Sequence, residues 1–178
     1  MRGDLNAAIL ALDRKFLLDH PWDAAQMVEL LDPEAVAAEL ASQPAPALLP
    51  LFRRLAPSAA GRVLASLPKT LALSVLAELL PPEGLLILGT LDDQATQALV
   101  EGLDPAIGAE IRELMSYPVD SAGRLMDTRV ESFRTSMTAR TALDALRRSR
   151  ARTARSLFLI DDQNRLVAKV GIQDVAVA

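Results

Sequence analysis

Few side chains in this sequence have the chemistry of a catalytic site. There is no cysteine, which excludes disulfides, thiolate metal sites and cysteine nucleophiles. The one histidine, His20, excludes a multi-histidine metal centre and leaves little room for a serine–histidine triad. Ser121 follows Asp120 directly, but no base accompanies this pair, which is typical of a helix cap. The residues therefore predict that the chain is not an enzyme.

Charged residues form two clusters with other expected roles. Asp92 and Asp93 precede an apolar helical segment, where carboxylates cap the helix and compensate its dipole. A basic run near the C-terminal end consists of Arg147, Arg148, Arg150, Arg152 and Arg155. No aromatic platform accompanies this run and the sequence pI is about 5.0. The run therefore indicates a solvated helix end, and we expect no nucleic-acid partner.

The elements that hold these residues divide into two parts where the charge changes sign. Residues 1–127 carry a net charge of −9 and residues 128–178 carry +5, which together give the −4 of the 178-residue chain. Hydrophobic residues make up 51% of the sequence but aromatic residues only 3%, as in proteins built from packed short helices. We therefore predict two domains, 1–127 and 128–178.

The first part contains an internal repeat. Leu-x-Pro tripeptides recur with prolines 24, 25 and 23 residues apart, and each opens an apolar run of helical period. They are Leu31-Asp32-Pro33, Leu55-Ala56-Pro57, Leu80-Pro81-Pro82 and Leu103-Asp104-Pro105. Proline suits the first turn of a helix, and further breaks lie half-way between the tripeptides. The pattern predicts a superhelix (solenoid) of eight to ten short paired helices over residues 5–126.

The second part changes period. The stretch TRVESFRTS, with Val130 and Phe133, is a strand candidate, and TARTALDALRRSR has helical spacing, with Thr138 and Thr141 as candidate caps. Two apolar runs then flank the turn sequence Asp161-Asp162-Gln163-Asn164. The predicted order is strand, helix, strand, strand, and a final helix begins near Gly171. The fold class is therefore mainly α, with a small α/β unit at the C-terminal end.

The sequence shows no targeting or membrane-spanning signal. The N-terminal stretch lacks the apolar region of a signal peptide. No run approaches the roughly 20 apolar residues that span a bilayer. We predict a cytoplasmic chain with no direct membrane insertion.

Residues 116–130, SYPVDSAGRLMDTRV, lie between the two parts, and we call residues 117–126 the joint. A second distinctive stretch is the turn from Leu159 to Val167. Both stretches resemble the cytosolic part of MgtE-type magnesium channels, in which a helical N domain of short repeats leads into CBS domains. That family's joint reads roughly Tyr-Pro-Glu-Asp-(Ser/Thr)-Ala-Gly-x-x-Met-Thr, and Val119 and Asp127 depart from it. The matching residues are Tyr117, Pro118, Asp120, Ser121, Ala122, Gly123 and Met126.

This resemblance implies a metal site and a partial CBS-like unit over 128–178. In the family, Mg²⁺ is held between the N domain and the CBS domains and locks a closed state. The resemblance implies that the metal ligands are Asp92, Asp93 and Asp120. Two positions depart from the family's carboxylates: Thr96 replaces an aspartate, and either Gly61 or Arg62 stands where a glutamate is common.

The resemblance also bears on nucleotide binding. CBS domains can bind adenosine nucleotides through a Ser/Thr-x-x-Asp element, whose aspartate is matched by Asp174. Gly171 occupies the Ser/Thr position. Asp174 is thus the nucleotide-binding candidate, but a helix-cap role is the preferred interpretation, and we expect no adenosine nucleotide.

Two functions follow from the resemblances of this sequence. The first is a Mg²⁺-sensing regulatory module of a magnesium transporter, with Mg²⁺ as ligand, a homodimer as assembly and a membrane channel domain outside this chain as partner. The alternative is a helical-repeat interaction scaffold without ion binding, similar to the middle domain of the flagellar motor-switch protein. The apparent end inside a CBS unit favours a fragment or a degenerate domain.

Overall fold

The computed structural model describes residues 14–128, 130, 132–148 and 156–176. These residues belong to two compact units, one ending at Met126 and the other beginning at Asp127. The first unit is helical. Its elements are α1 (Arg14–Asp19), α2 (Pro21–Glu29), α3 (Pro33–Leu40), α4 (Ala45–Phe52), α5 (Pro57–Ser66), α6 (Lys69–Glu78), α7 (Pro81–Leu88), α8 (Asp93–Gly102), α9 (Pro105–Met115) and a short 3-10 helix (Ala122–Leu125).

Helix starts in the first unit follow a regular period of 24 residues. Helices α2, α4, α6 and α8 begin at residues 21, 45, 69 and 93, and helices α3, α5, α7 and α9 begin at residues 33, 57, 81 and 105. The predicted tripeptide at Leu80-Pro81-Pro82 was therefore wrong by one residue, because Pro81 and not Pro82 opens α7. Leu79 then precedes this proline by two residues, as Leu55 and Leu103 precede theirs, and all three leucines are buried.

Side chains satisfy the free N–H groups at several of these helix starts. Asp32 caps α3, accepting from the Ala35 N–H at 3.0 Å. Ala56 has no capping side chain, but its own N–H donates to Glu29 Oε1 on α2 at 2.8 Å. Glu83 accepts from the Leu80 N–H at 2.9 Å and from Arg53 Nε at 3.2 Å. The repeat therefore uses a different capping device at different turns.

Alternate helices stack on one another in two rows. Helix α4 packs between α2 and α6, and α6 packs on α8; in the other row α5 packs between α3 and α7, and α7 packs on α9. Because a single short helix cannot bury its apolar residues alone, this stacking is what buries them. The buried residues form one continuous cluster from Leu17 to Leu114. The predicted superhelix of short helices is confirmed.

The second unit is a small α/β layer. Its elements are β1 (Ser132–Arg134), α10 (Ala139–Arg148), β2 (Ser156–Ile160), β3 (Leu166–Gly171) and α11 (Ile172–Ala176). Strand β2 lies centrally, parallel to β1 and antiparallel to β3. Among the described residues, the buried core comprises Phe133, Ala142 and Leu157, and partly buried apolar side chains from α10, β2 and α11 pack against it. The predicted fold class, mainly α with a small α/β unit, is confirmed.

Side-chain hydrogen bonds explain where α10 begins and how the turn between β2 and β3 closes. Thr138 Oγ1 accepts from the Thr141 N–H at 3.3 Å before α10. The β2–β3 turn closes on Asp161 Oδ1, which accepts from the N–H groups of Gln163 and Arg165, each at 2.9 Å. Asn164 has a positive φ of 59°, which asparagine tolerates. Val130 is exposed and lies outside the strand, so the predicted first strand was too long.

Within the described ranges, no helix is long and apolar enough to cross a membrane.

Candidate functional site

The start of α8 carries the adjacent carboxylates Asp92 and Asp93. Asp92 is the N-cap, and its Oδ1 accepts from the Ala95 N–H at 2.7 Å. Asp93 lies in the first turn, and both residues are exposed. The partial positive charge of a helix N-terminus stabilises both carboxylates. The structure therefore gives Asp92 a capping role through one of its two carboxylate oxygens.

A cavity of about 180 Å³ lies beside this helix start. Asp93 and Arg124 both line this cavity. Its lining residues are Leu85, Leu88, Gly89, Leu91, Asp93, Thr96, Met115 and Arg124. They come from α7, the turn between α7 and α8, α8, α9 and the joint, so packing of the last repeats creates the pocket.

Thr96 is part of the packing between α7 and α8. Its side chain is buried, and its hydroxyl donates to the Leu88 carbonyl at 3.1 Å. This bond satisfies a carbonyl at the end of α7. The hydroxyl is thereby committed to the backbone, and the position lacks the carboxylate that the family resemblance would provide.

Gly61 and Arg62 lie on different sides of α5. Gly61 is buried, and a Cβ added to it would overlap Thr90 Oγ1. Arg62 is exposed. Of the two positions left open by the sequence, the one that presents a side chain at the surface is therefore Arg62, a cation in place of a carboxylate.

The joint folds back on the end of α9. The Pro118 carbonyl accepts from the N–H and the hydroxyl of Ser121, at 3.0 and 2.7 Å. Gly123 lies against the ring of Tyr117, because a Cβ at this position would be 2.6 Å from Tyr117 Cδ1. A glycine is therefore required for this close approach. The structure thus shows that the joint is a short folded segment.

Arg124 holds the joint to the end of α9. Its Nη1 donates to the Met115 carbonyl at 2.9 Å and to the Tyr117 carbonyl at 3.2 Å. An arginine that bonds the last carbonyls of a helix acts as a C-cap and interacts favourably with its dipole. Sequence reasoning missed this role, because the partners of Arg124 are backbone atoms. The one available signal was a basic residue inside the Ser-Ala-Gly-Arg-Leu-Met stretch.

The predicted metal ligands occupy two places in the first unit. Asp92 and Asp93 lie at α8, and Asp120 lies exposed in the turn before the 3-10 helix. Within the described part of the chain, no group of three or more histidine, cysteine, aspartate or glutamate side chains is arranged to hold a metal ion. A magnesium role for these three residues therefore stays a prediction.

The remaining joint and nucleotide candidates are mostly exposed. Pro118 is exposed, as are Ala122 and Met126 further along the joint. Asp174 lies exposed in the first turn of α11, and a Cβ on Gly171 would be 2.7 Å from its Oδ2. A serine or threonine at 171 would require this carboxylate to move. The nucleotide-binding and helix-cap roles of Asp174 both stay predictions.

The sequence is similar to magnesium transport proteins. The sequence profile of the MgtE intracellular N domain matches residues 19–120. The magnesium transporter MgtE of Thermus thermophilus is 34% identical over 84 residues, covering 46% of this chain and 19% of that transporter. This chain therefore aligns with about a fifth of that protein.

Two solved structures share the fold. The crystal structure of the cytosolic domain of the Mg²⁺ channel MgtE in complex with ATP is 28% identical, with a TM-score of 0.81, over 93% of this chain and 69% of that one. The soluble part of a magnesium transporter is 21% identical, with a TM-score of 0.61, over 98% and 74%, and supports the fold alone. The family's description as intracellular agrees with the predicted cytoplasmic location. The resemblance drawn from the joint is confirmed, and the chain belongs to the MgtE intracellular N domain family.

Proposed function

We propose that this chain is a cation-responsive regulatory module of a magnesium transport system, and that Mg²⁺ is the cation. The observation that carries the proposal is the match over 93% of the chain to the cytosolic domain of a Mg²⁺ channel. Transport itself is not assigned to this chain. The finer claim, that this chain senses the ion, depends on the carboxylates at the start of α8.

The chemistry of these carboxylates supports cation binding. Mg²⁺ prefers oxygen ligands, keeps several waters and often takes only one or two carboxylates from the protein. Asp92 uses Oδ1 for the helix cap, so its Oδ2 can face a hydrated ion. Asp93 lies beside it and lines the cavity. The net charge of −9 over residues 1–127 also raises the local concentration of cations.

The proposal extends to organisation and partners. Residues 1–127 would form the N domain and residues 128–178 a partial CBS-like unit, as the sequence predicts. A homodimer and a membrane channel domain outside this chain are the expected partners. The support for a channel partner is that the relatives are described as parts of a channel or a transporter.

A Mg²⁺ titration of the purified chain by calorimetry tests ion binding, and small-angle scattering over the same range tests a change of shape. We expect binding heat at millimolar Mg²⁺ together with compaction. The double variant Asp92→Asn with Asp93→Asn should abolish both, because it removes the anionic ligands. Asparagine is itself a good N-cap, so α8 should keep its stability.

The repeat provides a matched control. Asp32 caps α3 through Ala35, as Asp92 caps α8 through Ala95, and Glu34 is an acidic residue in the first turn of α3. The variant Asp32→Asn with Glu34→Gln removes the same charge from an equivalent helix start and should keep the Mg²⁺ response. Equal loss in both double variants would show a general charge effect and contradict a site at α8.

An interaction scaffold is the second candidate, because the two stacked rows of helices present an extended surface. A scaffold should show neither heat nor a change of dimensions with Mg²⁺. A flat titration of the wild-type chain would therefore favour the scaffold over the sensor.

Adenosine nucleotide is a separate question. The sequence predicts no such ligand, whereas the relative at 28% identity was crystallised with ATP. An ATP titration of the chain, with Asp174→Asn as the variant, tests the prediction directly. Binding that the variant removes would contradict it.

A further inference from the structure

Arg124 contributes to two features of the first unit at once. Its Nη1 donates to the carbonyls of Met115 and Tyr117, which holds the joint against the end of α9. Arg124 also lines the same cavity as Asp93. A single guanidinium thus connects the folded state of the joint to the electrostatics of the pocket.

The positive charge of Arg124 repels any cation that binds in the pocket. Arginine stays protonated at all ordinary pH values. A divalent cation at Asp93 would therefore approach a fixed positive charge in the same pocket. In a water-like dielectric at low ionic strength, charges of +1 and +2 that lie about 8 Å apart repel each other enough to lower the affinity for the divalent ion about fivefold.

We propose that Arg124 is an internal counter-ion for the Asp93 pocket and a latch for the joint. While the guanidinium is bonded to the Met115 and Tyr117 carbonyls, it weakens cation binding at Asp93. By thermodynamic linkage, a bound cation weakens the seating of Arg124 to the same extent and loosens the joint. This inference rests on the proposed function, because it requires a cation at Asp93.

The first claim, that the charge of Arg124 weakens cation binding at Asp93, is tested by removing the charge while keeping a hydrogen-bond donor. Arg124→Gln keeps an N–H donor, and Arg124→Lys keeps the charge. We expect Mn²⁺, which shares the oxygen preference of Mg²⁺, to bind Arg124→Gln about fivefold more tightly than wild type in an electron paramagnetic resonance titration. Arg124→Lys should bind as wild type does. Adding Asp93→Asn to Arg124→Gln should abolish the gain.

The matched control is Lys69→Gln, which removes a positive charge from the exposed start of α6. It should leave the affinity for Mn²⁺ within about twofold of wild type, because the Lys69 side chain lies near Gly102, at the opposite end of α8 from Asp93, and charge repulsion falls with distance. A gain equal to that of Arg124→Gln would show a general effect of net charge and overturn the inference.

The second claim, that a bound cation loosens the joint, is tested by hydrogen exchange of the joint amides. The Met126 N–H donates to the Gly123 carbonyl within the joint. Saturating Mg²⁺ should speed exchange of this amide in wild type, and Asp93→Asn should abolish the effect. Unchanged exchange, or equal Mn²⁺ affinity in wild type and Arg124→Gln, would overturn the inference. If wild type binds Mg²⁺ normally in that case, the proposed function survives, whereas absence of binding in all variants overturns both.

Discussion

The two units contain leucines of equal burial in cores of very different size. Leu76 on α6 and Leu157 on β2 are each 2% exposed. Leu76 belongs to a continuous cluster that runs through the stacked helices, whereas Leu157 shares its core, among the residues that the structure describes, with only two other buried residues, Phe133 and Ala142. Burial of one side chain is therefore a poor measure of how much structure depends on it. The size of the connected core decides whether a defect stays local.

The largest effect is expected in the extended core. Leu76→Ala removes most of a buried side chain from α6, which packs between α4 and α8 in its row. The backbone of α7 also lies close to this side chain, at Gly84. We expect a loss of about 3–4 kcal/mol in the free energy of unfolding, since a stacked row cannot easily collapse on the void. Urea denaturation followed by circular dichroism at a helix-sensitive wavelength measures it.

Leu30→Ala is the control for this substitution, because Leu30 is 88% exposed. It should change the stability by less than about 0.5 kcal/mol. Equal losses at the two positions would contradict the assignment of Leu76 to the core.

In the second unit Leu157→Ala should cost less in total but affect more of its surroundings. We expect a loss of about 2–3 kcal/mol. Because Phe133 and Ala142 would be the remaining buried residues in the described part of this unit, the sheet should open locally, and exchange of the β2 and β3 amides should accelerate together. Hydrogen exchange resolved by residue measures this.

The exposed Leu166 on β3 gives the control for the small core. Leu166→Ala should leave the β2 and β3 amides protected. Continued protection in Leu157→Ala would show that the small core is not what holds the sheet.

The contrast between the units also explains what the sequence could predict. The superhelix was predictable because prolines mark helix starts and apolar residues recur at helical spacing. The register was wrong at Pro81-Pro82, since either proline suits a first turn and only the burial of Leu79 selects the first. In the small unit the turn at Asp161 was predictable from residue types, but the late start of β1, beyond Val130, was not.

The candidate site was predictable only in part, for a related reason. Asp92 and Asp93 at a helix start follow from residue types and order. The cavity beside them depends on Met115 and Arg124, which are distant in sequence. The partners of Arg124 are carbonyl groups, and those carry no sequence signal. Thr96 likewise showed no sign in the sequence that its hydroxyl would bond to the Leu88 carbonyl.

A smaller effect should come from close packing between repeats in the first unit. Gly61→Ala places a methyl group against Thr90 Oγ1, and Thr90 also donates to the Ile87 carbonyl at 2.7 Å. We expect a loss of about 1–3 kcal/mol, as for other overpacked sites. The double variant with Thr90→Ala should recover most of this loss relative to Thr90→Ala alone, because only the hydroxyl oxygen is overlapped. A double-mutant cycle in urea measures the coupling, and additive losses would contradict the proposed overlap.

The smallest effect concerns the turn that closes the second unit. The N–H of Arg165 is the main cause that lowers the pKa of Asp161 below its ordinary value, and the Arg165 side chain, the Gln163 N–H and the charge of Arg134 add to it. A carboxyl whose pKa is lowered by folding stabilises the folded state above its unfolded pKa. That stabilisation is lost as the pH falls through the folded pKa. We therefore expect amide exchange at Gln163 and Arg165, corrected for its intrinsic pH dependence, to accelerate only at pH values below the ordinary pKa of an aspartate.

A substitution separates the backbone from the side chain as the cause of this shift. Arg165→Gln removes the side-chain partner, whose Nε lies 2.9 Å from Asp161 Oδ2, but keeps the backbone N–H that donates to Oδ1. Because the backbone bond is the larger cause, the pKa of Asp161 should rise only part of the way to its ordinary value, as measured by NMR titration of the carboxyl carbon. A full return would make the ion pair the dominant contact. The small unit would then depend on a surface charge pair, while the large one depends on its core.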